Sequence, residues 1–137
     1  MNVVYGTWQA LQTDASLVRQ QVFIEEQKIP PQEEWDIADQ TAIHFVVYQA
    51  EQVIATARLV DQNKIGRVAV LKPYRNLGVG TFLLQFIIDY AQQQQRSYLQ
   101  LSAQIQALSF YENLGFCAEG ETYLDCNIPH QTMKRYF

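Results

Sequence analysis

Hydrophobic and polar residues alternate along this chain with the periods of strands and helices. At its centre, residues 65–71 form an apolar run rich in β-branched side chains, which predicts a strand. Residues 79–91 then place apolar side chains three and four positions apart, which predicts a long helix that packs a broad apolar face on a sheet. Four glutamines, residues 92–95, predict a solvated end to this helix.

The flanking segments predict further elements on both sides of this centre. We expect strands at residues 2–8, 43–48, 53–60, 98–103, 116–127 and 132–137, and helices at residues 15–27 and 107–114. Thr13 or Asp14 would cap the first helix, and the last two strands would join near residues 128–130. Short connections predict a meander that ends in the central strand, and the right-handed crossover rule makes the next strand parallel to it. The predicted fold is one mixed α/β domain, residues 1–137, of order β-α-βββ-α-β-α-ββ.

A glycine-rich corner joins the central strand to the long helix. Arg75, Gly78 and Gly80 form the pattern Arg-x-x-Gly-x-Gly. Glycines at such a junction allow a close ligand approach, and the first free N–H groups of the helix make an anion site that suits a pyrophosphate. The corner is not a Walker loop, because no lysine follows Gly80, and it is not the dinucleotide fingerprint, because Leu83 replaces the third glycine. A turn that only lets the helix pack on the strand is the alternative.

Composition and charge narrow the function classes. The 137 residues are 48% hydrophobic and 18% charged, as expected for one globular domain. A net charge of −4 argues against nucleic-acid binding and favours a cationic or neutral substrate. No apolar run is long enough to span a membrane, and no leader is visible, so we expect a cytoplasmic protein. The two cysteines have neither metal-ligand spacing nor a disulfide framework.

Negative charge is concentrated in one predicted loop, residues 30–40. It carries Glu33, Glu34, Asp36 and Asp39 and no basic residue. Two interpretations remain open at this point. The loop is either a solvated acidic surface or the mouth of a pocket that attracts an amine in its ammonium form.

Three separated pieces resemble one family. They are Arg67–Val70 (RVAV) followed by RNLGVG, the motif FYENLGF at residues 110–116, and the order of elements. Together they resemble the GNAT N-acetyltransferases. More narrowly, VFIEEQ at residues 22–27, the loop Glu34-x-Asp36-x-x-Asp39, His44, and the IPH motif with Met133 resemble the small bacterial ElaA/YjcF-like branch.

The resemblance implies a fold, a co-substrate and a reaction. It implies a mixed sheet whose central parallel strands splay apart, with acetyl-coenzyme A (acetyl-CoA) bound there and no metal. It implies direct attack on the thioester by a primary amine, which belongs to a small molecule or to a protein lysine or N-terminus. The residues that it assigns to acetyl-CoA are Val68, Ala69, Val70, Arg75, Asn76, Leu77, Gly78, Val79, Gly80, Thr81, Gln104 and Tyr111.

The resemblance also suggests catalytic residues. Tyr111 in FYENLGF matches a tyrosine that protonates the departing thiolate in many members, although an aromatic core residue is the simpler interpretation of its spacing. The glutamate that many members use as a base is replaced here by Gly66. Candidates for the base are Glu26, Glu34, His44 and His130. His130 is favoured because IPH would lie where the last strands close over the acceptor cleft, and Glu34 is retained beside it.

Two other functions stay open from the sequence. The replacement at Gly66 makes a non-catalytic sensor that binds acyl-CoA the main alternative, and a purely structural domain is a third. We also expect a homodimer, because exposed C-terminal strands often pair subunits in this family.

Overall fold

Seven strands form one mixed sheet in the computed structural model, which describes residues 1–137. The strands are β1 (Asn2–Gly6), β2 (Ile43–Gln49), β3 (Gln52–Val60), β4 (Lys64–Val70), β5 (Tyr98–Gln104), β6 (Cys117–Asp125) and β7 (Ile128–Tyr136). Their order across the sheet is β1-β2-β3-β4-β5-β7-β6, and only β4 and β5 are parallel. The predicted mixed α/β fold and its order of elements are confirmed.

Four α-helices accompany the sheet. They are α1 (Trp8–Arg19), which continues as a π-helical segment at Gln20–Glu26, α2 (Pro31–Glu34), α3 (Val79–Gln93) and α4 (Leu108–Glu112). The predicted start of the first helix is wrong, because Thr7 caps it by accepting a hydrogen bond from the N–H of Ala10 at 3.3 Å. Asp14 instead accepts a hydrogen bond from the Tyr48 hydroxyl. No helix is long and apolar enough to cross a membrane.

Two apolar cores lie on opposite faces of the sheet. Helix α1 packs Leu11, Ala15 and Val18 against one face. Helices α3 and α4 cover the other face, where Leu83 and Ile87 are fully buried. Neighbouring residues of one strand point to opposite faces, as the strand period requires. The cores therefore fix α1 and α3 on the two sides of β4.

The two parallel strands separate soon after they meet. They pair only at Lys64 with Gln100 and at Ile65 with Leu101. Beyond these pairs, β4 continues along β3 and β5 continues along β7. A gap therefore opens between the carboxyl ends of β4 and β5, which confirms the predicted splay.

The final hairpin turns earlier than predicted. Asp125 pairs with Ile128, so Cys126 and Asn127 form the turn, with φ angles of 50° and 62°. Asparagine tolerates this left-handed backbone better than most residues, which explains the position of the turn. Pro129 is tolerated near the beginning of β7. As a result, His130 lies inside a strand rather than in a connection.

Candidate functional site

The amino end of α3 presents free backbone donors. Gly78 is the N-cap, with φ +82°, and no side chain caps the helix. The first bond of the helix runs from the N–H of Phe82 to the carbonyl of Gly78 at 3.0 Å. The N–H groups of Val79, Gly80 and Thr81 therefore have no acceptor within the helix and lie at its positive pole. These groups fit a pyrophosphate.

The two glycines of this corner serve different purposes. A Cβ at Gly78 would meet no atom within 4 Å, so glycine is needed there for its left-handed backbone. A Cβ at Gly80 would lie 3.2 Å from Cζ of Phe110, so glycine is needed there to let α3 approach α4. The predicted residues Asn76 and Leu77 form the exposed turn between Arg75 and Gly78, and Asn76 has φ 62°.

The edge of β4 supplies a second set of backbone groups. The N–H of Leu71 donates to the carbonyl of Ile54 at 2.9 Å, so residue 71 faces β3. Because strand residues alternate, Val68 and Val70 face the gap, whereas Ala69 faces β3. Val68 and Val70 are thus the residues of this trio that can bond an extended ligand in the gap.

Arg75 is already engaged by protein atoms. Its Nη1 and Nη2 donate to the two carboxylate oxygens of Glu26 at 2.6 and 2.7 Å, and its Nε donates to the carbonyl of Val70 at 2.9 Å. The hydrogen bonds from Arg75 lower the pKa of the Glu26 carboxyl. The assignment of Arg75 to acetyl-CoA remains a prediction.

A cleft of about 290 Å³ lies where β4 and β5 separate. Gly66 and Val68 of β4 contribute to its wall, as do Glu33 and Glu34 of α2. Three more of the predicted site residues also line it: Gln104, Tyr111 and His130. The fold therefore brings together side chains that lie far apart in the sequence.

Tyr111 lies in the cleft wall and is 8% exposed. Its ring packs edge-on against the rings of Phe110 and Phe116, with centroid distances of 5.0 and 6.0 Å. Burial raises the pKa of Tyr111 to about 12, because the charged phenolate is poorly solvated there. The Tyr111 hydroxyl therefore carries its proton at neutral pH.

His130 lines the cleft, and one of its ring nitrogens is hydrogen-bonded to the backbone. Its Nδ1 lies 2.6 Å from the carbonyl oxygen of Ile128. A carbonyl can only accept, so we assign the proton of the neutral imidazole to Nδ1, and Nε2 carries the lone pair. The ring stacks on Tyr123, whose hydroxyl is hydrogen-bonded to that of Ser102. These contacts hold the imidazole in one orientation.

Glu34 belongs to a buried cluster of ion pairs. Its Oε2 accepts from Nε of Arg19 at 2.8 Å and lies 3.0 Å from Nε of Arg67. Burial raises the pKa of Glu34, while the two arginines oppose this rise. The interpretation as a solvated surface is wrong for Glu34 and Asp39, because each is only 2% exposed and paired with arginine, whereas Glu34 does line the cleft.

Arginine also neutralises the charge of Asp36 and Asp39, two further carboxylates of this loop. Arg58 bonds Asp36 at 2.6 Å and Asp39 at 2.7 Å. The hydrogen bonds from Arg58 lower the pKa of Asp36 to about 2. Burial would raise the pKa of Asp39, but its bonds to Arg19 and Arg58 lower it. Glu33 is the one carboxylate of this loop that is both exposed and free of an ion pair.

Two candidates for the base lie outside the cleft. Glu26 is bound to Arg75, as described above. His44 is 1% exposed, its Nε2 lies 2.9 Å from the carbonyl of Asp39, and its ring lies 4.7 Å from that of Trp8. Burial lowers the pKa of His44, so it stays neutral in the core.

Sequence reasoning missed two residues of the cleft, Arg67 and Cys126. Arg67 lines the cleft with φ 51°, where the pairing of β3 and β4 shifts register. Cys126 and Glu33 face each other across it, and the thiol donates to a carboxylate oxygen at 3.3 Å. Glu33 was singled out in the sequence by its charge, as part of the acidic loop. The other two lie in the cleft because of tertiary contacts between distant segments.

Comparisons with known proteins agree with this geometry. The chain matches the Acetyltransferase (GNAT) domain family over residues 11–137. The uncharacterised N-acetyltransferase YjcF of Bacillus subtilis is 35% identical over 89% of this chain and 90% of its own. An acyl-CoA N-acyltransferase from Pseudomonas aeruginosa is 29% identical, with a TM-score of 0.88 over 98% of both chains. ElaA of Escherichia coli is 26% identical, with a TM-score of 0.88 over 98% of this chain and 99% of its own. The chain therefore belongs to the GNAT acetyltransferase family, in the small bacterial branch that includes YjcF and ElaA-like structures.

Proposed function

We propose that this protein transfers an acetyl group from acetyl-CoA to a primary amine. One observation carries the proposal: two sets of free backbone groups and two candidate catalytic side chains meet at one cleft. The free amides of α3 and the free edge of β4 lead into a cleft that also contains Tyr111 and His130. Acetyl-CoA supplies the acyl group as a thioester, and the chain's own residues bind, orient and move protons around it.

The co-substrate would be held mainly by backbone groups. The N–H groups of Val79, Gly80 and Thr81 suit the pyrophosphate, with the turn of Asn76, Leu77 and Gly78 beside them. Val68 and Val70 suit the pantetheine arm as an added strand. Gln104, which ends β5 and donates to the Gln27 side chain at 3.0 Å, faces the same cleft.

His130 and Tyr111 are suited to opposite proton transfers. Nε2 of His130 would accept the proton that the amine loses as its nitrogen bonds to the acetyl carbon. The Tyr111 hydroxyl would give its proton to the thiolate that leaves. Because the two groups line one cleft, both reactants can be held together, which itself contributes much of the acceleration.

Glu34 is less suited to accept this proton. Its carboxylate already accepts from Arg19 and lies against Arg67, and a base needs a free lone pair near the amine. We assign Glu34 to the cleft wall, where it holds Arg67 in place. His130 therefore takes over as base in a chain that has Gly66 where many members have glutamate.

The acceptor would be a small-molecule or peptide amine. Glu33 and Asp125, both exposed, line the cleft and would attract an ammonium group. Strand β6 is an exposed edge, which supports the expected homodimer. The cytoplasmic location remains an expectation.

One experiment tests this function. The purified protein is titrated with acetyl-CoA by calorimetry, and the same sample is assayed for thiol release with a panel of primary amines. Binding with amine-dependent release would support a transferase. Binding without release from any amine would favour the acyl-CoA sensor, and no binding would overturn the site.

A further inference from the structure

We propose that Arg75 is a positioning residue for acetyl-CoA, which acts through the elements that it connects and not through contact with the pyrophosphate. The inference rests on the proposed function, since it concerns the same binding site. It also assigns a role to Glu26, the ion-pair partner of Arg75, which the proposed reaction does not use.

The guanidinium of Arg75 connects three segments of the fold. Its own backbone lies in the turn that leads from β4 into α3. Its Nη atoms hold both carboxylate oxygens of Glu26, which ends the π-helical extension of α1. Its Nε holds the carbonyl of Val70, the last residue of β4. The side chain thus fixes the turn to both neighbouring elements.

This arrangement leaves the guanidinium poorly placed to bind a phosphate. Arginine recognises phosphate best through two parallel N–H groups. The Nη1–Nη2 pair of Arg75 already holds Glu26, and the Nε that would complete a second pair already holds Val70. The negative charge of Glu26 also offsets the positive charge of Arg75 beside the site.

The contacts instead organise groups that do face the ligand. Gly78 begins α3 three residues after Arg75, so the direction of the first free N–H groups depends on where the turn is held. The carbonyl of Val70 shares the strand edge proposed for the pantetheine arm. Loss of the Arg75–Glu26 pair would loosen both, and the cost should appear in binding rather than in chemistry.

A double-mutant cycle on acetyl-CoA binding tests the inference. The variants are Arg75→Met, Glu26→Ala and the two together, measured by calorimetry and by KM and kcat. We expect each single variant to weaken binding by about tenfold, the size of one or two hydrogen bonds to a charged group. The double variant should be no more than about twofold worse than Glu26→Ala alone, because the two residues act as one unit. The kcat at saturating acetyl-CoA should be unchanged.

Two further variants sharpen the outcome. Arg75→Lys keeps the charge but cannot hold Glu26 and Val70 together, so we expect it to resemble Arg75→Met. Glu25→Ala is the matched control, since Glu25 is a neighbouring exposed glutamate without an ion pair, and it should bind like the natural chain. Thermal unfolding of every variant verifies that it is folded.

Direct phosphate contact predicts the opposite results. Glu26→Ala would then free Arg75 and tighten binding, Arg75→Lys would retain most of the affinity, and Arg75→Met would lose the same factor in both backgrounds. Any of these results overturns the positioning role. If the natural chain itself failed to bind acetyl-CoA, the proposed function would fail instead, so the two failures are distinguishable.

Discussion

Gly80 and Phe110 are in close contact where α3 meets α4. A Cβ on residue 80 would lie 3.2 Å from Cζ of Phe110, closer than a side chain normally approaches. The Phe110 ring in turn packs edge-on against Tyr111 at 5.0 Å. The proposed pyrophosphate site and the proposed acid are therefore mechanically connected through one aromatic ring.

Gly80→Ala should disturb both ends of this connection. The added methyl group forces the Phe110 ring away by a few tenths of an ångström, which we expect to cost about 1–2 kcal/mol of stability and to weaken acetyl-CoA binding. Calorimetric titration and thermal unfolding measure the two effects. Adding Phe110→Leu, which removes the ring, should restore binding. A failure of this rescue would mean that Gly80 serves the ligand alone.

Gly78→Ala should act through the backbone alone. No atom lies within 4 Å of the added Cβ, but φ of +82° disfavours any side chain, so we expect a loss of about 1–2 kcal/mol. Gly66→Ala is the matched control, because its Cβ would come no closer than 3.9 Å to another group and its φ is not left-handed. It should change stability by less than about 0.5 kcal/mol. Urea denaturation measures the loss of stability in both variants. Equal losses would contradict the conformational explanation.

Replacing the proposed base should affect the rate, and replacing Glu34 should affect the fold. We expect His130→Ala to lower kcat by about 10²–10⁴-fold with little change in acetyl-CoA affinity, because proton transfer is lost. Glu34→Gln should lower the melting temperature, but the protein that remains folded should keep most of its kcat. Stopped assays of each variant measure kcat, and thermal unfolding of the same samples measures stability. The reverse pattern would make Glu34 the base.

Arg19 should be the residue of the ion-pair cluster that costs most to replace. It is 1% exposed, bonds Glu34 and Asp39, and lies between Trp8 and Trp35, with ring centroids 5.4 and 4.9 Å from its Cζ. Arg19→Met leaves two carboxylates buried without this partner, so we expect a loss of about 3–5 kcal/mol in denaturant unfolding. Lys28→Met, an exposed position without an ion pair, should be nearly neutral.

The lowered pKa of Asp36 predicts part of the loss of fold stability at acidic pH. Its folded value of about 2 lies below that of an unfolded chain, so its ionised form stabilises the fold above about pH 4. This contribution is lost as pH falls from about 4 to 2. Asp36→Asn should flatten the fall in melting temperature over that window, since the group no longer titrates. Glu51→Gln, at an exposed turn, should leave the curve unchanged.

The sequence was most informative where periodicity and glycines decide the structure. The apolar period of residues 79–91 predicted α3, and Gly78 and Gly80 predicted its free amino end. The pairing of the acidic loop could not be predicted, because its partners, Arg19 and Arg58, lie outside it in the sequence and meet it only after folding. The same holds for Cys126 and Glu33, which are 93 residues apart. Local rules also misplaced the cap of α1, since Thr7, Thr13 and Asp14 are all acceptable caps.

The two-pair contact between β4 and β5 divides the sheet into two antiparallel halves. The half made by β1–β4, with α3, carries the backbone groups assigned to acetyl-CoA, whereas β5, β7 and β6 carry His130 and the rim beside it. Because so few ladder bonds join the halves, substitutions in β6 and β7 can reshape the acceptor side with little effect on the backbone that holds the co-substrate. Such a division would let acceptor preference diverge in evolution while acetyl-CoA use is inherited unchanged.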